Sequence, residues 1–341
     1  MPRSLALHAA LAPAIAIAAC SASEPTAATT AWTAGTAAPR QVQQAGVAAR
    51  GLDVVVAGGY DVGPGGALEI TARVDVYDAT TDDWEPPGTL PDAPVHWTDI
   101  DLGALGDIVY IAGGLEGAQH IAHGEVYAFD LLLPMWHGLA AIPAGQERGA
   151  AGVISTPGRI YLLGGMSSTA PLASCLAYDI ATGTWIGASE LPDLPAPRAH
   201  PAAMRRSDGS LIVAGGFAGP DATDPRADVW RLPPEGAPDR RWTPVAPMLE
   251  PRGGCAYGVV AGQLVCAGGV GPAGPTATVE VYDPFEASAT PWTMGEPMPV
   301  ARAVAPAAAV GARLIVPGGA PTPAVAPTDT VYVYAPLDTT R

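Results

Sequence analysis

Lysine is absent from this chain of 341 residues, so all 17 of its cationic side chains apart from histidine are arginines. Charged residues make up only 15% of the sequence, and 33 carboxylates give it a formal net charge of −16. An acidic surface repels phosphate groups. Neither nucleic acid nor an anionic lipid surface is therefore expected as a partner.

Long apolar segments are also missing. After the N-terminus no stretch reaches the roughly 18 apolar residues that a membrane-spanning helix needs. The sequence contains no phosphate-cradling glycine loop, no G-x-S-x-G and no H-E-x-x-H. No short motif indicates an enzyme class, and no cofactor is expected.

Glycine and proline, by contrast, are abundant, with 41 and 37 residues, and 48% of the chain is hydrophobic. So many turn-forming residues argue against a helical bundle. The hydrophobic fraction is large enough to form a core and excludes wholesale disorder. The composition favours an all-β fold of many short strands.

The first 31 residues differ from the rest. Arg3 precedes a mostly apolar stretch from Leu5 to Ala19, which predicts a secretory signal peptide at 1–19. The letters IAAC ending at Cys20 resemble a bacterial lipobox, which implies lipid on that thiol and, because Ser21 follows, the outer membrane. The residues after Cys20 are small, polar and without periodicity, so 20–31 is predicted to be the lipid-attachment cysteine and a flexible tether. The alternative is an ordinary cleaved signal and a soluble periplasmic or secreted protein.

A unit of about fifty residues repeats through the remainder of the chain. In each unit an apolar run ends in a glycine pair, and a β-type segment with an aromatic residue and then a tryptophan follow it. The pairs are Gly58-Gly59, Gly113-Gly114, Gly164-Gly165, Gly215-Gly216, Gly268-Gly269 and Gly318-Gly319; the aromatics are Tyr77, Tyr127, Tyr178, Trp230, Tyr282 and Tyr332; the tryptophans are Trp84, Trp136, Trp185, Trp242 and Trp292.

These repeats resemble kelch repeats, from about Trp32 to Pro336. The resemblance implies one domain at 32–341, an all-β, six-bladed β-propeller with four-stranded blades. The sixth unit has no tryptophan after Tyr332, whereas Trp32 stands 26 residues before its glycine pair, as Trp242 and Trp292 do. We therefore expect the N-terminal strand to complete the last blade in a three-plus-one closure. The propeller is expected to be a monomer.

A cation stands near the start of the predicted innermost strand of every blade: Arg40, His96, Arg148, Arg198, Arg252 and Arg302. Such a ring could converge on one mouth of the central channel and bind carboxylates, since arginine pairs with them in a fork. The other interpretation is structural, with each arginine bonded to carbonyls or carboxylates of neighbouring strands.

The function predicted from these features is non-catalytic recognition, in the bacterial envelope, of a protein, peptide or glycan that could be acidic. The loops after the glycine pairs would form the recognition surface. The alternative is a sugar epimerase resembling exported sialic-acid (N-acetylneuraminate) mutarotases, for which Glu116, Glu147 and Glu190 are acid–base candidates only because they lie near that face.

Cysteine is scarce, with four residues in all. Cys255 and Cys266 lie on adjacent predicted strands around a turn at 261–262, one diagonal step apart. They could form a disulfide in an oxidising compartment, or remain two buried thiols. The pair His120 and His123 has no third ligand nearby in the sequence, and no metal is expected.

Overall fold

The computed structural model describes residues 30–187, 189–285 and 290–337. The predicted signal peptide, Cys20 and most of the tether lie outside these ranges. Within them every regular element is a β-strand, and no helix is long and apolar enough to cross a membrane.

Six antiparallel sheets of four strands each form the molecule. Their first strands neighbour one another in a closed cycle around a central channel. This is the predicted six-bladed propeller. Listed from the innermost strand outward, the blades comprise Gly46–Arg50, Asp53–Ala57, Val74–Asp78 and Asp83–Trp84 (blade 1); Leu102–Leu105, Ile108–Glu116, Ile121–Asp130 and Met135–Gly138 (blade 2); Gly152–Thr156, Arg159–Leu163, Cys175–Asp179 and Thr184–Ile186 (blade 3); Ala202–Arg205, Leu211–Ala214, Val229–Leu232 and Thr243–Val245 (blade 4); Ala256–Val260, Gln263–Ala267, Val279–Tyr282 and Trp292–Gly295 (blade 5); and Ala308–Val310, Arg313–Pro317, Val331–Tyr334 and Trp32–Gly35 (blade 6).

Two short hairpins decorate the loops between second and third strands. Tyr60–Val62 pairs with Leu68–Ile70 in blade 1, and Val270–Gly271 pairs with Gly274–Pro275 in blade 5.

The N-terminal strand closes the ring, as the position of Trp32 predicts. Trp32 lies opposite Tyr334 and Gly35 opposite Val331 in an antiparallel pair. The Ala31 amide donates to a carboxylate oxygen of Glu296 in blade 5 at 2.7 Å, and the Trp32 indole donates to the Glu296 carbonyl at 2.9 Å. Blade 6 is therefore joined to blade 5 as well as completed.

The glycine pairs connect each blade to the next one. The second glycine donates its amide to a carbonyl of the following blade, for example Gly114 to Arg148 at 2.8 Å. The first glycine has a positive φ, and a Cβ on Gly113 would lie 2.3 Å from that same carbonyl oxygen. Glycine is required because any side chain here would push the blades apart.

The tryptophans pack in the wedge between blades. Five of the six outer-strand indoles donate to a backbone carbonyl of the preceding blade, among them Trp292 to Ala246 at 3.1 Å. Trp136 is the exception, because its buried Nε1 has no partner within the described ranges.

In three blades the residue at the register position of Tyr77 is not the predicted aromatic. The positions equivalent to Tyr77 are Phe129, Leu232 and Tyr334, two residues after the predicted Tyr127, Trp230 and Tyr332. Phe129 stacks on Trp136 and Tyr334 contacts Trp32, with ring centroids 4.7 and 5.1 Å apart. Third strands with aromatics at alternate positions are ambiguous, because both residues face the same side of the sheet.

Candidate functional site: the channel mouth

The predicted cations do not form an open ring at the channel mouth. The five arginines are between 0 and 6% exposed, and each guanidinium lies within its own blade. His96 is exposed. Arg40 and His96 are also out of register with the other four cations. The Arg148 carbonyl accepts the amide of a glycine pair, and in blades 1 and 2 the carbonyls that do so belong to Val42 and Trp97.

Three of the arginines bind carbonyls and carboxylates beside the first glycine. Arg40 donates to Asp75 at 2.7 Å and to the Gly58 carbonyl at 2.8 Å. It reaches these groups although it lies two residues before Val42, the position equivalent to Arg148. Arg148 bonds the Gly164 and Ser174 carbonyls at 2.9 and 2.7 Å. The Arg252 guanidinium donates five hydrogen bonds, one of them to the fully buried Glu280 carboxylate at 2.8 Å.

The other two arginines stack on aromatic rings. The Arg198 guanidinium lies 4.5 Å from the Trp230 ring centroid and also pairs with Asp228, and that of Arg302 lies 5.1 Å from the Tyr332 ring. Burial lowers the pKa of both. In this structure all five side chains hold strands together, and their role in ligand binding stays a prediction.

A different set of six residues surrounds the mouth of the channel. Each blade contributes one residue just before its innermost strand, and all six have a positive φ between 43 and 61°: Gln44, Asp99, Ala150, His200, Gly254 and Val304. We call this set the mouth ring. For non-glycine residues this conformation is uncommon and costs energy.

Backbone hydrogen bonds link the mouth ring. The amides of Asp99, Ala150, His200 and Gly254 each donate to the carbonyl of the preceding member, at 2.7 to 3.1 Å. These bonds hold the strained conformation, and they engage four of the six amides and four of the six carbonyls of the mouth ring. Recognition at the mouth therefore depends on the side chains.

The mouth ring side chains break the six-fold repeat. Alanine, glycine and valine occupy three blades, while Gln44, Asp99 and His200 occupy blades 1, 2 and 4. The fold accepts small apolar residues here, so it does not require polar ones. Asp99 and His200 both line the channel, and Asp99 Oδ1 lies 3.6 Å from His200 Nε2.

A second carboxylate lies two residues deeper on the same wall. Asp101 is 2% exposed, and its Oδ1 accepts the Ala151 amide of blade 3 at 2.7 Å. The equivalent positions in the other blades carry no polar side chain; they are Gly46, Gly152, Ala202, Ala256 and Pro306. Asp99 Oδ1 and Asp101 Oδ2 are buried without a hydrogen-bond partner among the residues that the structure describes.

Burial dominates the titration of this cluster. It raises the pKa of Asp99 to about 7 and that of Asp101 to about 8. It lowers the pKa of His200 to about 4. Near neutral pH the cluster therefore holds a neutral imidazole and two carboxyl groups that a small change in environment can ionise.

The channel behind the mouth ring holds about 450 Å³. Tyr257 reaches across it from blade 5, and its hydroxyl accepts the Val153 amide of blade 3 at 3.0 Å. The remaining wall is mostly alanine, valine and isoleucine. This volume accommodates one extended side chain or a small molecule, with polar contacts concentrated on one side.

The loops above the mouth carry further polar residues. His120, half-buried, lies close enough to act electrostatically on both Asp99 and His200. His123 bonds Glu116 at 2.7 Å and stacks on Trp97. In the described part of the chain no three histidine, cysteine or acidic side chains are grouped so that they could hold a metal.

The remaining predicted residues lie away from the channel. Glu116 pairs with His123, Glu147 accepts the Gly145 amide, and Glu190 is exposed; none of the three lines the cavity. Cys255 and Cys266 are buried free thiols in mutual hydrogen-bond contact, which with burial raises the pKa of Cys266. Their disulfide stays a prediction.

Sequence spacing does not reveal Asp99 and Asp101. Both lie in the WTDID segment at 97–101, where they resemble ordinary loop acids. The repeat offers the one usable signal: aligned on the glycine pairs, position 101 is the sole charged residue among six.

Comparisons with known proteins agree with this architecture. The family model described as "Kelch motif" matches residues 147–192 and 251–284. The chain is 26% identical to Kelch-like protein terF of Aspergillus terreus over 87% of its length, and 30% identical to human Kelch-like protein 35 over 48%. It spans 65% of the first relative and 25% of the second.

A solved structure has the same fold. The structure of YjhT superposes with a TM-score of 0.71 at 15% identity, over 89% of this chain and 97% of YjhT. At this identity the likeness concerns the fold alone.

Proposed function

We propose that this kelch-repeat β-propeller is a recognition module that binds a protein or peptide partner on the face that carries the channel mouth. The observation that carries the proposal is the distribution of departures from the six-fold repeat. The blade interiors repeat closely, whereas the polar members of the mouth ring and the loops above it differ from blade to blade. A rigid scaffold with variable loops is the usual arrangement for recognition.

The two faces of the propeller differ in what they offer. The mouth face carries long loops, including the blade 1 hairpin and the segment 217–227 in blade 4. The opposite face carries short turns such as 51–52, 106–107 and 261–262, and a longer loop at 233–242 in blade 4. Among the described residues, the mouth face has the larger share of long loops.

The proposal is tested by locating the binding face. Peptides selected from a random library on the wild-type protein are measured against two variants, Asp221→Asn with Asp224→Asn on the mouth face and Leu132→Ser with Leu133→Ser on the opposite face. Asparagine tolerates the positive φ of both aspartates. We expect binding to weaken at least tenfold in the first variant and to persist in the second; the reverse pattern would overturn the proposal.

A second candidate, catalysis of sugar-anomer exchange as in a sialic-acid mutarotase, is favoured by one observation. Asp99 and His200 form an acid and a base 3.6 Å apart beside a cavity. Ring opening of a sugar needs such a pair. Proton NMR exchange between N-acetylneuraminate anomers tests it: acceleration by the wild type that is lost in Asp99→Asn supports catalysis, and unchanged exchange excludes it for this sugar.

For the N-terminal segment we propose export and lipid attachment at Cys20, which would place the propeller in the bacterial envelope. The support is the sequence pattern alone. Radiolabelled palmitate incorporation by the full chain in a bacterial host tests it. Label on the wild type but not on Cys20→Ala is expected, and equal labelling of both would contradict it.

A further inference from the structure

We infer that the channel mouth is a site for one cationic side chain, an arginine or lysine of a basic segment in the partner, which the carboxylates of Asp99 and Asp101 would bind. The inference rests on the proposed function, because it names the chemistry of the group that the mouth face recognises.

The first support is the position of the two carboxylates. Both residues are more than nine-tenths buried, both line the channel, and both belong to the same wall of blade 2. One oxygen of each has no hydrogen-bond partner within the described ranges, although Asp99 Oδ1 lies 3.6 Å from His200 Nε2. An unsatisfied buried polar atom costs free energy, and a ligand that donates to both oxygens would remove that cost.

The second support is that the fold does not need these groups. Five of the six blades have glycine, alanine or proline at the position of Asp101, and three have a small apolar residue at the position of Asp99. The Ala151 amide and the Thr98 hydroxyl each donate to one of the four carboxylate oxygens, which leaves the other two without a hydrogen bond among the described residues. Retaining two destabilising carboxyl groups in one blade points to a ligand of opposite charge.

The third support is the negative charge of the residues around the channel mouth. Exposed carboxylates stand on the loops of blades 2 and 4, namely Glu116, Asp221 and Asp224. Arg226 is the cation among them and is already paired with Asp224 and Asp228. With a net charge of −16 and no lysine, the molecule attracts basic segments toward this face.

The other titratable groups around the two carboxylates influence whether Asp99 and Asp101 are protonated. Asp99 is faced by Tyr60, His120 and His200, and Asp101 by Arg148 and Tyr257. Asp101 and Asp99 also repel each other when both are ionised. A cation entering the mouth favours the ionised carboxylates, so binding at neutral pH releases protons to the solvent.

The probe is a pentapeptide, Ala-Ser-Arg-Ser-Ala, compared with its lysine and citrulline analogues by isothermal titration calorimetry. Citrulline keeps the shape of arginine and removes its charge. We expect the two basic peptides to bind at least tenfold more tightly than the citrulline peptide. We also expect proton release, seen as a binding heat that changes with the ionisation enthalpy of the buffer, and tighter binding at pH 8.5 than at pH 6.

Three variants locate the contact. Asp99→Asn and Asp101→Asn should each weaken the arginine peptide at least tenfold, whereas Asp239→Asn, which removes the same charge from an exposed loop, should not. His200→Arg keeps both carboxylates and supplies a guanidinium from the chain itself. This variant should also bind the arginine peptide at least tenfold more weakly. If an asparagine variant does not fold, this result tests the cation site in its place.

The inference is overturned if the citrulline peptide binds as well as the arginine peptide, if no basic probe binds, or if Asp99→Asn and Asp101→Asn bind it like the wild type. The proposed function fails separately. Library peptides that bind both asparagine variants but require Asp221 and Asp224 would leave recognition on the mouth face intact without a cation site, whereas peptides held by the opposite face would remove the proposed function whatever the arginine probe does.

Discussion

Arg252 illustrates at the residue scale how a repeated cation serves this fold. Its guanidinium donates to the Thr278 carbonyl and hydroxyl at 2.8 and 2.7 Å and to Glu280 at 2.8 Å. Glu280 in turn accepts the amides of Leu249 and Glu250. One side chain thus fixes the approach to the innermost strand relative to the third strand of the same blade.

Replacing Arg252 by alanine is expected to destabilise the protein by about 3–5 kcal/mol, because Glu280 would be left as a buried charge without its partner. Arg241→Ala, at an exposed position, is the control and should change stability by less than about 0.5 kcal/mol. Urea denaturation gives both values. Equal stability of the two variants would show that Arg252 is free to serve a ligand.

Asp101 makes stability depend on pH. Its folded-state pKa of about 8 lies above the ordinary value of 3.8, so the folded protein binds the extra proton and stability falls as pH rises from 4 to 8. In the wild type the free energy of unfolding should fall by about 1.4 kcal/mol per pH unit in this range because of Asp101. Asp101→Asn should remove this fall. Denaturation at pH 5, 6.5 and 8 should show the variant gaining on the wild type; parallel curves would mean that Asp101 is already ionised.

Individual functional residues were only partly predictable from the sequence. The arginines repeat, so their equivalence was visible, but their direction was not: whether a guanidinium enters the channel or turns into its blade depends on the carbonyls beside the glycine pair. Arg40 and His96 are not equivalent to the other four cations, because the equivalent positions in the first two blades are Val42 and Trp97, which carry no positive charge. Asp99 and Asp101 do not repeat, and their burial follows only from the way neighbouring blades pack.

At the scale of the blade, the outer strand joins neighbours through its tryptophan. Trp292 is 3% exposed, contacts Tyr282 and donates to blade 4. Trp136 has the equivalent ring stacking on Phe129, but its indole makes no hydrogen bond to any residue that the structure describes. The two residues differ in this hydrogen bond and in burial, because Trp136 is half-buried, and both differences make Trp292 the more costly of the two to replace.

Trp292→Phe should therefore destabilise the protein by about 1 kcal/mol more than Trp136→Phe, since a net hydrogen bond is worth about that much. Chemical denaturation of both variants against the wild type measures the difference. A larger loss for Trp136→Phe would show that the interblade hydrogen bonds contribute little and that ring packing alone joins the blades.

Strand order and blade boundaries could be predicted because the glycine pairs are conspicuous and leave little freedom in register. The exact aromatic on each third strand could not, since residues two apart face the same side and a two-residue shift preserves the pattern. The shift has a structural consequence: Trp230 and Tyr332 stack on Arg198 and Arg302, and Tyr332 also meets Trp32 edge to face.

On the scale of the whole molecule, closure creates the site. The strand Trp32–Gly35 pairs with Val331–Tyr334, and the ring that results brings residues 44, 99 and 200 to one opening although they are far apart in sequence. The count of six units and the missing tryptophan predicted this closure. The buried acidic groups of the opening are two residues of one blade; the repeat marks Asp101 as a departure but does not show that its side chain lines the channel.

The most direct test of the account is hydrogen–deuterium exchange of the propeller with and without a tightly bound library peptide. We expect slower exchange in the loops at 60–72, 115–124 and 217–227 and at the mouth ring, with no change in the turns of the opposite face. Protection confined to the turns near 51–52 and 131–135, with the mouth ring unaffected, would contradict the account.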